Sequence, residues 1–304
     1  MKYKQPDLCL GTAQFGLKYG ITNSYSKPDE EEVRKILNLA GNSKIKFLDT
    51  AESYGNAEEL IGYTIQKNPE LNFNIISKLS LTIDEILNDD IEEILDKKLN
   101  KSLKNLNSSS LNGYLIHNTD LLKHQKFSSL ILWLKKQKEK KLVKRIGISI
   151  YNSSDLDYIN LKDFDIVQLP LSIYDQRLLK DKTIEKLFVS GKAIHVRSLF
   201  LQGLLLQKRE NWPNFLSSKF KAHHSKFSSE INKLGFNFLK ASLYFASELN
   251  FVESFVLGIG NINELNQIID SWNIASSQFN NCGLNFDEWS WGNELELDPR
   301  NWGK

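Results

Sequence analysis

Short apolar runs separated by longer amphipathic stretches alternate along the chain from Leu8 to Ile274. Apolar runs of roughly four to eight residues read as buried strands, and stretches with apolar positions at i, i+3 and i+4 read as helices. Their alternation predicts repeated βα units around a parallel sheet. The predicted strands cover residues 8–11, 45–48, 73–78, 113–116, 144–149, 165–168, 193–198 and 254–257.

Between them, Pro28 and the acids Asp29 to Glu32 open a helix whose first turn carries negative charge, where the helix dipole favours it. The stripe Val33, Ile36, Leu37 and Ala40 continues that helix. Further helices are expected over residues 57–66, 84–106, 121–141, 153–161, 176–190, 227–249 and 261–274. Residues 200–225 break the rhythm, with Trp212-Pro213-Asn214-Phe215 and His223-His224 inside them, and read as a long loop over one end of the fold. Loops of that length in a compact domain usually serve as lids or binding segments. Residues 276–304 form a tail that holds Trp289, Trp291 and Trp302.

Composition narrows the choice. With 304 residues, 41% hydrophobic and 25% charged, the chain suits one α/β barrel and exceeds the typical size of about 250 residues by about fifty. The expectation is a single (β/α)8 TIM-barrel domain over residues 1–304. The net charge is +2 and is scattered along helical faces, which gives no basic stripe for nucleic acid and no acidic tail. Cys9 and Cys282 are far apart and lack a metal-ligand spacing, so neither a disulfide framework nor a metal site is expected. No apolar run is long enough for a membrane and the start lacks an apolar signal core, so the expectation is a soluble cytoplasmic protein.

The chemistry gathers at strand ends. Asp49 is the first polar residue after the second apolar run, and Tyr54 follows in a loop closed by Gly55 and Asn56. The third run ends in Lys78 and the fourth in His117. Taken singly, Tyr54 reads as a loop aromatic, Lys78 as a solvated strand-end lysine, His117 as a structural histidine and Asp49 as a turn cap. Delivered together to one edge of a parallel sheet, they read as a site, because a buried acid needs a cation and the phenol gains a neighbouring ammonium. An ammonium favours phenolate, so the spacing predicts a lowered Tyr54 pKa. His195, His223 and His224 have no comparable support.

This tetrad, in this order and spacing, resembles the aldo-keto reductase family. Leu10-Gly-Thr-Ala-Gln-Phe-Gly16 is similar to the family's first strand and glycine turn, and Tyr114-Leu-Ile-His-Asn-Thr-Asp120 to its fourth strand. Arg145-Ile-Gly-Ile-Ser149, Ile166-Val-Gln168 and Arg197-Ser-Leu-Phe-Leu-Gln-Gly203 stand where its later strands meet a nicotinamide cofactor. The resemblance implies reduction of a carbonyl by NADPH or NADH, with Tyr54 as acid, Lys78 and Asp49 as its ion pair, and His117 orienting the carbonyl. It implies Ser149 and Gln168 at the carboxamide, and Arg197 where many members place a stacking tyrosine. Ile150 replaces an asparagine that is common in the family.

The resemblance places Ser198, Leu199, Gln202 and Gly203 along the pyrophosphate. After the last strand, Gly258, Gly260, Asn261 and Glu264 stand at the adenosine end, with backbone N–H groups expected to be open to a phosphate. Glu264 lies where NADP-preferring members carry a cation, so NADH is expected to compete well. Phe15, Leu17, Tyr19 and the 200–225 loop are expected to shape the substrate pocket. A likeness to bacterial members points to a keto-sugar or sugar-derived aldehyde as the small-molecule partner. A cofactor-sensing regulatory barrel without significant turnover is the alternative within the family. A metal-dependent barrel enzyme is disfavoured, because only Asp49 and His117 qualify as strand-end ligands.

Overall fold

The computed structural model describes residues 5–20, 27–277 and 283–302. Eight parallel strands close into a barrel in sequence order: β1 (Asp7–Gly11), β2 (Phe47–Asp49), β3 (Asn74–Leu79), β4 (Leu111–Ile116), β5 (Val143–Ser149), β6 (Ile166–Pro170), β7 (Ala193–Arg197) and β8 (Ser254–Gly258). Register is continuous across the seam, where Leu10 pairs with Leu257 and Gly11 with Gly258.

The period of two along each strand sorts the side chains. Cys9, Phe47, Ile76, Leu115 and Ile166 meet inside the barrel as one buried cluster. Their neighbours, such as Leu8, Leu10, Leu48 and Ile75, join the larger core beneath the helices. Both faces are therefore apolar, as expected for a parallel sheet covered by helices.

The first long helix, Glu30–Asn42, is capped by Asp29, whose carboxylate accepts from Glu32 N at 2.8 Å, and it buries Val33, Ile36, Leu37 and Ala40. Several expected helices are interrupted. Residues 84–106 divide into Ile83–Leu87, opened by a Thr82/Glu85 capping box, and Ile91–Asn105. Residues 176–190 divide into Arg177–Lys180 and Thr183–Val189 around Lys182, which has a φ of 63°. The expected helix at 153–161 is a 3-10 segment, Ser153–Tyr158.

The largest departure lies after β7. Helix Ser218–Lys233 starts inside the expected loop, and a separate helix, Phe238–Glu248, follows it. Gly235, with a φ of 70°, ends the first, and the Asn237 side chain caps the second by accepting from Lys240 N. The buried stripe of Ser218–Lys233 is Phe220, His224, Phe227 and Ile231. One of its four positions is a histidine, and that hid the helical period in the sequence.

Of the expected loop, residues 200–217 remain irregular, with short 3-10 turns at Leu204–Leu206 and Arg209–Asn211. The tail crosses this region as a strap. Trp291 N donates to Tyr174 O at 2.8 Å, and Glu296 accepts from Ser217 N at 2.6 Å and from Trp291 Nε1 at 3.0 Å. Cys9 is a buried free thiol, and Cys282 lies outside the described residues. Among the described residues no helix is long and apolar enough to cross a membrane.

Candidate active site

Asp49 ends β2 and Lys78 lies one residue before the end of β3, and the register of these strands brings their side chains together. Lys78 Nζ donates to Asp49 Oδ1 at 2.5 Å and to Thr50 O at 2.9 Å, and it reaches the Tyr54 hydroxyl at 3.4 Å. The ion pair is almost fully enclosed, with side-chain exposures of 1% and 4%. Such a pair is tolerated only when the remaining polar atoms are satisfied. Gln168 of β6 meets that need, donating from Nε2 to Asp49 Oδ2 at 2.7 Å. Ser149 Oγ, at the end of β5, donates to Gln168 Oε1 at 3.4 Å.

Tyr54 is positioned by glycine packing. An added Cβ on Gly16 would lie 1.7 Å from Tyr54 O, and Gly55 adopts a φ of +58° against the Gly16 carbonyl. The turn after β1 therefore clamps the loop that carries the phenol. Burial raises the Tyr54 pKa, and the nearby Lys78 charge and hydrogen bond only partly offset it. The lowered pKa expected from the sequence does not occur, because desolvation outweighs the ammonium. The phenol stays protonated at neutral pH.

His117 follows β4 directly, its backbone N–H held by Leu79 O at 3.0 Å. Burial, then the charges of Lys78 and Arg197, lower its pKa to about 3, so the ring is neutral. Its Nδ1 lies 3.1 Å from Ser80 Oγ and 3.4 Å from Ser53 Oγ, and its ring meets Tyr54 edge-on with centroids 5.9 Å apart. Ser80 and Ser53 were not singled out from sequence, although each lies within three residues of a tetrad member.

A cavity of about 490 Å³ opens beside the tetrad. Asp49, Tyr54, Gln168, Arg197, Gly258 and Glu264 line it. Ser198, Leu199, Gln202 and Gly203 form a further stretch of its wall. That wall is conformationally unusual: Ser198, Leu201 and Gln202 have φ values of 64°, 45° and 54°. Non-glycine residues in this region carry strain, which clusters at ligand clamps.

Across the opening, Gln202 Nε2 donates to the Tyr19 hydroxyl at 3.4 Å. Phe15 and Leu17, expected in the pocket, are elsewhere. Phe15 is fully buried in the core, and Leu17 lies outside the cavity wall. Thr12, Gln14 and Gln207 do line the cavity. The first two stood in the glycine-turn motif, unassigned.

The loop after β8 differs from expectation in one respect. Gly260 N donates to Glu264 Oε2 at 2.7 Å, Ile262 N to Glu32 Oε1 at 2.7 Å and Glu264 N to the Asn261 side chain at 3.0 Å. Of the amides expected to be open to a phosphate, those of Gly260 and Glu264 are taken by the chain's own side chains, as is that of Ile262 between them. Gln14 Oε1 is the polar atom left over, buried without a partner and 2.9 Å from where a Cβ on Gly258 would sit. A cavity of this volume, with the orphaned Gln14 amide oxygen beside it and with Ser149 and Gln168 next to the Asp49 carboxylate, offers groups that fit a nicotinamide dinucleotide.

The other four histidines stand apart: His124 Nδ1 accepts from Lys126 N at 3.2 Å. His195 pairs with Glu253 at 2.6 Å, His223 bonds Trp289 O at 2.9 Å and His224 bonds the Tyr174 hydroxyl at 3.1 Å. Among the described residues no cluster of three or more His, Cys, Asp or Glu is placed to hold a metal ion.

The sequence profile of the aldo/keto reductase family matches residues 7–282. The chain therefore belongs to this family, and its fold and family make it an oxidoreductase of the aldo-keto reductase kind. A protein of Pseudomonas aeruginosa assigned to the aldo-keto reductases has a similar structure, at 20% identity and a TM-score of 0.64 over 89% of this chain and 91% of that one. The holo form of the aldo-keto reductase AKR11C1 from Bacillus halodurans is similar at 16% identity and a TM-score of 0.63, over 96% and 95% of the two chains. At these identities the likeness concerns the fold. No match was found among curated proteins.

Proposed function

We propose that this protein reduces an aldehyde or ketone, sugar-derived carbonyls included, to the alcohol with NADH or NADPH, and that Tyr54 is the proton donor. One observation carries the reading. The Lys78 ammonium touches both Asp49 and the Tyr54 hydroxyl at the edge of a cavity of about 490 Å³.

When bound, the dihydronicotinamide supplies the hydride. Negative charge then develops on the carbonyl oxygen, and a preorganised donor must meet it. Tyr54 enters the reaction protonated, because burial holds its pKa up, and gives its proton to that oxygen. As the phenol becomes phenolate, Lys78 stabilises it across 3.4 Å, and Asp49 keeps the ammonium in place. His117 is neutral, and the tautomer that serves the reaction has Nδ1 accepting from the Ser80 hydroxyl and the proton on Nε2, from which it donates to the carbonyl oxygen.

At the reacting end Ser149, Gln168 and Arg197 would hold the nicotinamide. Ser198, Leu199, Gln202 and Gly203 would flank the pyrophosphate, and Gly258, Gly260, Asn261 and Glu264 the adenosine. Glu264 and Glu32 near that end favour a ribose hydroxyl over a phosphate, which supports NADH as an effective cofactor.

The test is a fluorescence titration of the purified protein with NADH and NADPH, followed by addition of a panel of aldehydes and keto-sugars. Saturable binding and carbonyl-dependent oxidation of the cofactor are expected. Binding without oxidation by any carbonyl would favour a cofactor-sensing barrel, and no binding would contradict both readings.

A further inference from the structure

The charged groups around the cavity do not cancel locally. Lys78 is neutralised by Asp49, and Glu264 accepts from Gly260 N. Arg197 lines the cavity with Tyr54, and the hydrogen bonds of its guanidinium go to neutral acceptors: Ile150 O at 3.0 Å, Ser149 Oγ at 3.4 Å and Ser198 Oγ at 3.4 Å. Among the described residues no carboxylate stands within ion-pair distance of it.

The side chain is also held in place. Its guanidinium lies 4.1 Å from the centre of the Tyr151 ring, and Arg300 of the tail stacks on the same ring at 3.6 Å, itself held by Asp298. The Arg197 charge reaches the reacting groups and acts to lower the pKa of both Tyr54 and His117.

The consequence rests on the reductase reading above. If a carbonyl oxygen meets Tyr54, the ring that donates hydride must lie within about 3–3.5 Å of the carbonyl carbon. That places the nicotinamide at the Arg197 end of the cavity. The reduced ring is neutral and the oxidised ring carries a full positive charge, while the rest of the dinucleotide is the same. An uncompensated, half-buried cation therefore acts against one redox form only.

We propose that Arg197 discriminates between the redox states of the cofactor: the site binds the reduced dinucleotide more tightly than the oxidised one and expels the spent cofactor. The overall equilibrium of the reaction is unchanged, because the enzyme ends each cycle as it began. What changes is the order of affinities on the enzyme, and oxidised cofactor becomes a weak product inhibitor. A neutral aromatic at this position would instead attract the oxidised ring through its π face.

The test measures dissociation constants of the full chain for NADH and NAD⁺, by dihydronicotinamide fluorescence and calorimetry, in the wild type, Arg197→Met and Arg197→Lys. The wild type is expected to bind NADH at least about tenfold more tightly, since repulsion between unit charges a few ångströms apart at an effective dielectric of about 20 exceeds that factor. NADPH and NADP⁺ should show a similar ratio, because the extra phosphate is common to both. Arg197→Met should bring the ratio close to one, chiefly by tighter NAD⁺ binding, and Arg197→Lys should keep most of it.

Equal affinities in the wild type would overturn the inference while leaving the reductase reading intact. So would a ratio that Arg197→Met does not move. Failure of the wild type to bind any of the four dinucleotides would overturn the reductase reading, and the inference with it.

Discussion

Gly16 and Tyr54 are packed so closely that a single methyl group on the glycine would sit 1.7 Å from the tyrosine carbonyl oxygen. The contact is backbone against backbone, so nothing flexible can yield. Gly16→Ala is expected to push the 50–56 loop outward and lift the Tyr54 hydroxyl away from Lys78. Stability should fall by about 1–3 kcal/mol, as for an overpacked core, and turnover by at least an order of magnitude. Thermal melting and steady-state rates check both, and a variant with wild-type turnover would show that the clamp does not position the phenol.

The neutrality of His117 has its own signature. Its pKa is lowered to about 3, so the ring carries no charge across the working range. For a base with a depressed folded value, the neutral state contributes stability above the unfolded pKa near 6.5, and that contribution is lost as pH falls from there toward about 3. Histidine-selective NMR should show two rings that do not titrate between about pH 5 and 8, His117 and His224, whose pKa burial lowers to about 4, and His117→Gln should remove one of them. The rate profile should then have no inflection near 6.5 that His117→Gln removes.

Asp49, Tyr54, Lys78 and His117 were legible in the sequence because each stands at or just beyond a short apolar run, and a parallel barrel brings all such ends to one rim. The wiring behind them was not. Gln168 bonds Asp49 from 119 positions away, and nothing local to either residue announces it. Burial was underestimated for the same reason: the Tyr54 pKa moves opposite to the neighbour-charge argument because its surroundings come from several distant segments. The helix Ser218–Lys233 was obscured by His224 on its buried face, although Gly235 and Asn237 marked the following break. Asn261 and Glu264 follow β8, and their capture of the loop's own amides depends on side-chain direction, which spacing alone does not give.

Away from the site, Glu253 joins Arg145 and His195 on the amino-terminal side of β8, at 2.7 and 2.6 Å. Burial tends to raise its pKa, but the His195 hydrogen bond and the His195 and Arg145 charges outweigh this and lower it from 4.5 to about 2. A depressed carboxylate contributes stability above its unfolded pKa and loses it as pH falls through its folded value. Wild-type stability should therefore decline between about pH 4.5 and 2. Urea midpoints of Glu253→Gln should be lower at neutral pH and flatter over that window, and an unchanged acid limb would remove Glu253 from the account.

Glu264 holds Gly260 N, and in the proposed cofactor placement its carboxylate would face a 2′-phosphate. Glu264→Arg releases that amide and reverses the local charge. The ratio of NADPH to NADH affinity should rise by at least about tenfold, the scale of one charge-assisted contact. Paired fluorescence titrations measure it, and an unmoved ratio would show that neither dinucleotide places its ribose near Glu264.

The most direct test replaces the phenol alone. Tyr54→Phe keeps the ring against His117 and leaves Asp49, Lys78 and Gln168 paired, so it removes the proton donor and little else. Carbonyl-dependent oxidation of NADH should fall by at least about a hundredfold, the usual contribution of a positioned acid, while the NADH dissociation constant stays within about twofold of wild type. A phenylalanine variant that reduces carbonyls at the wild-type rate would contradict the account.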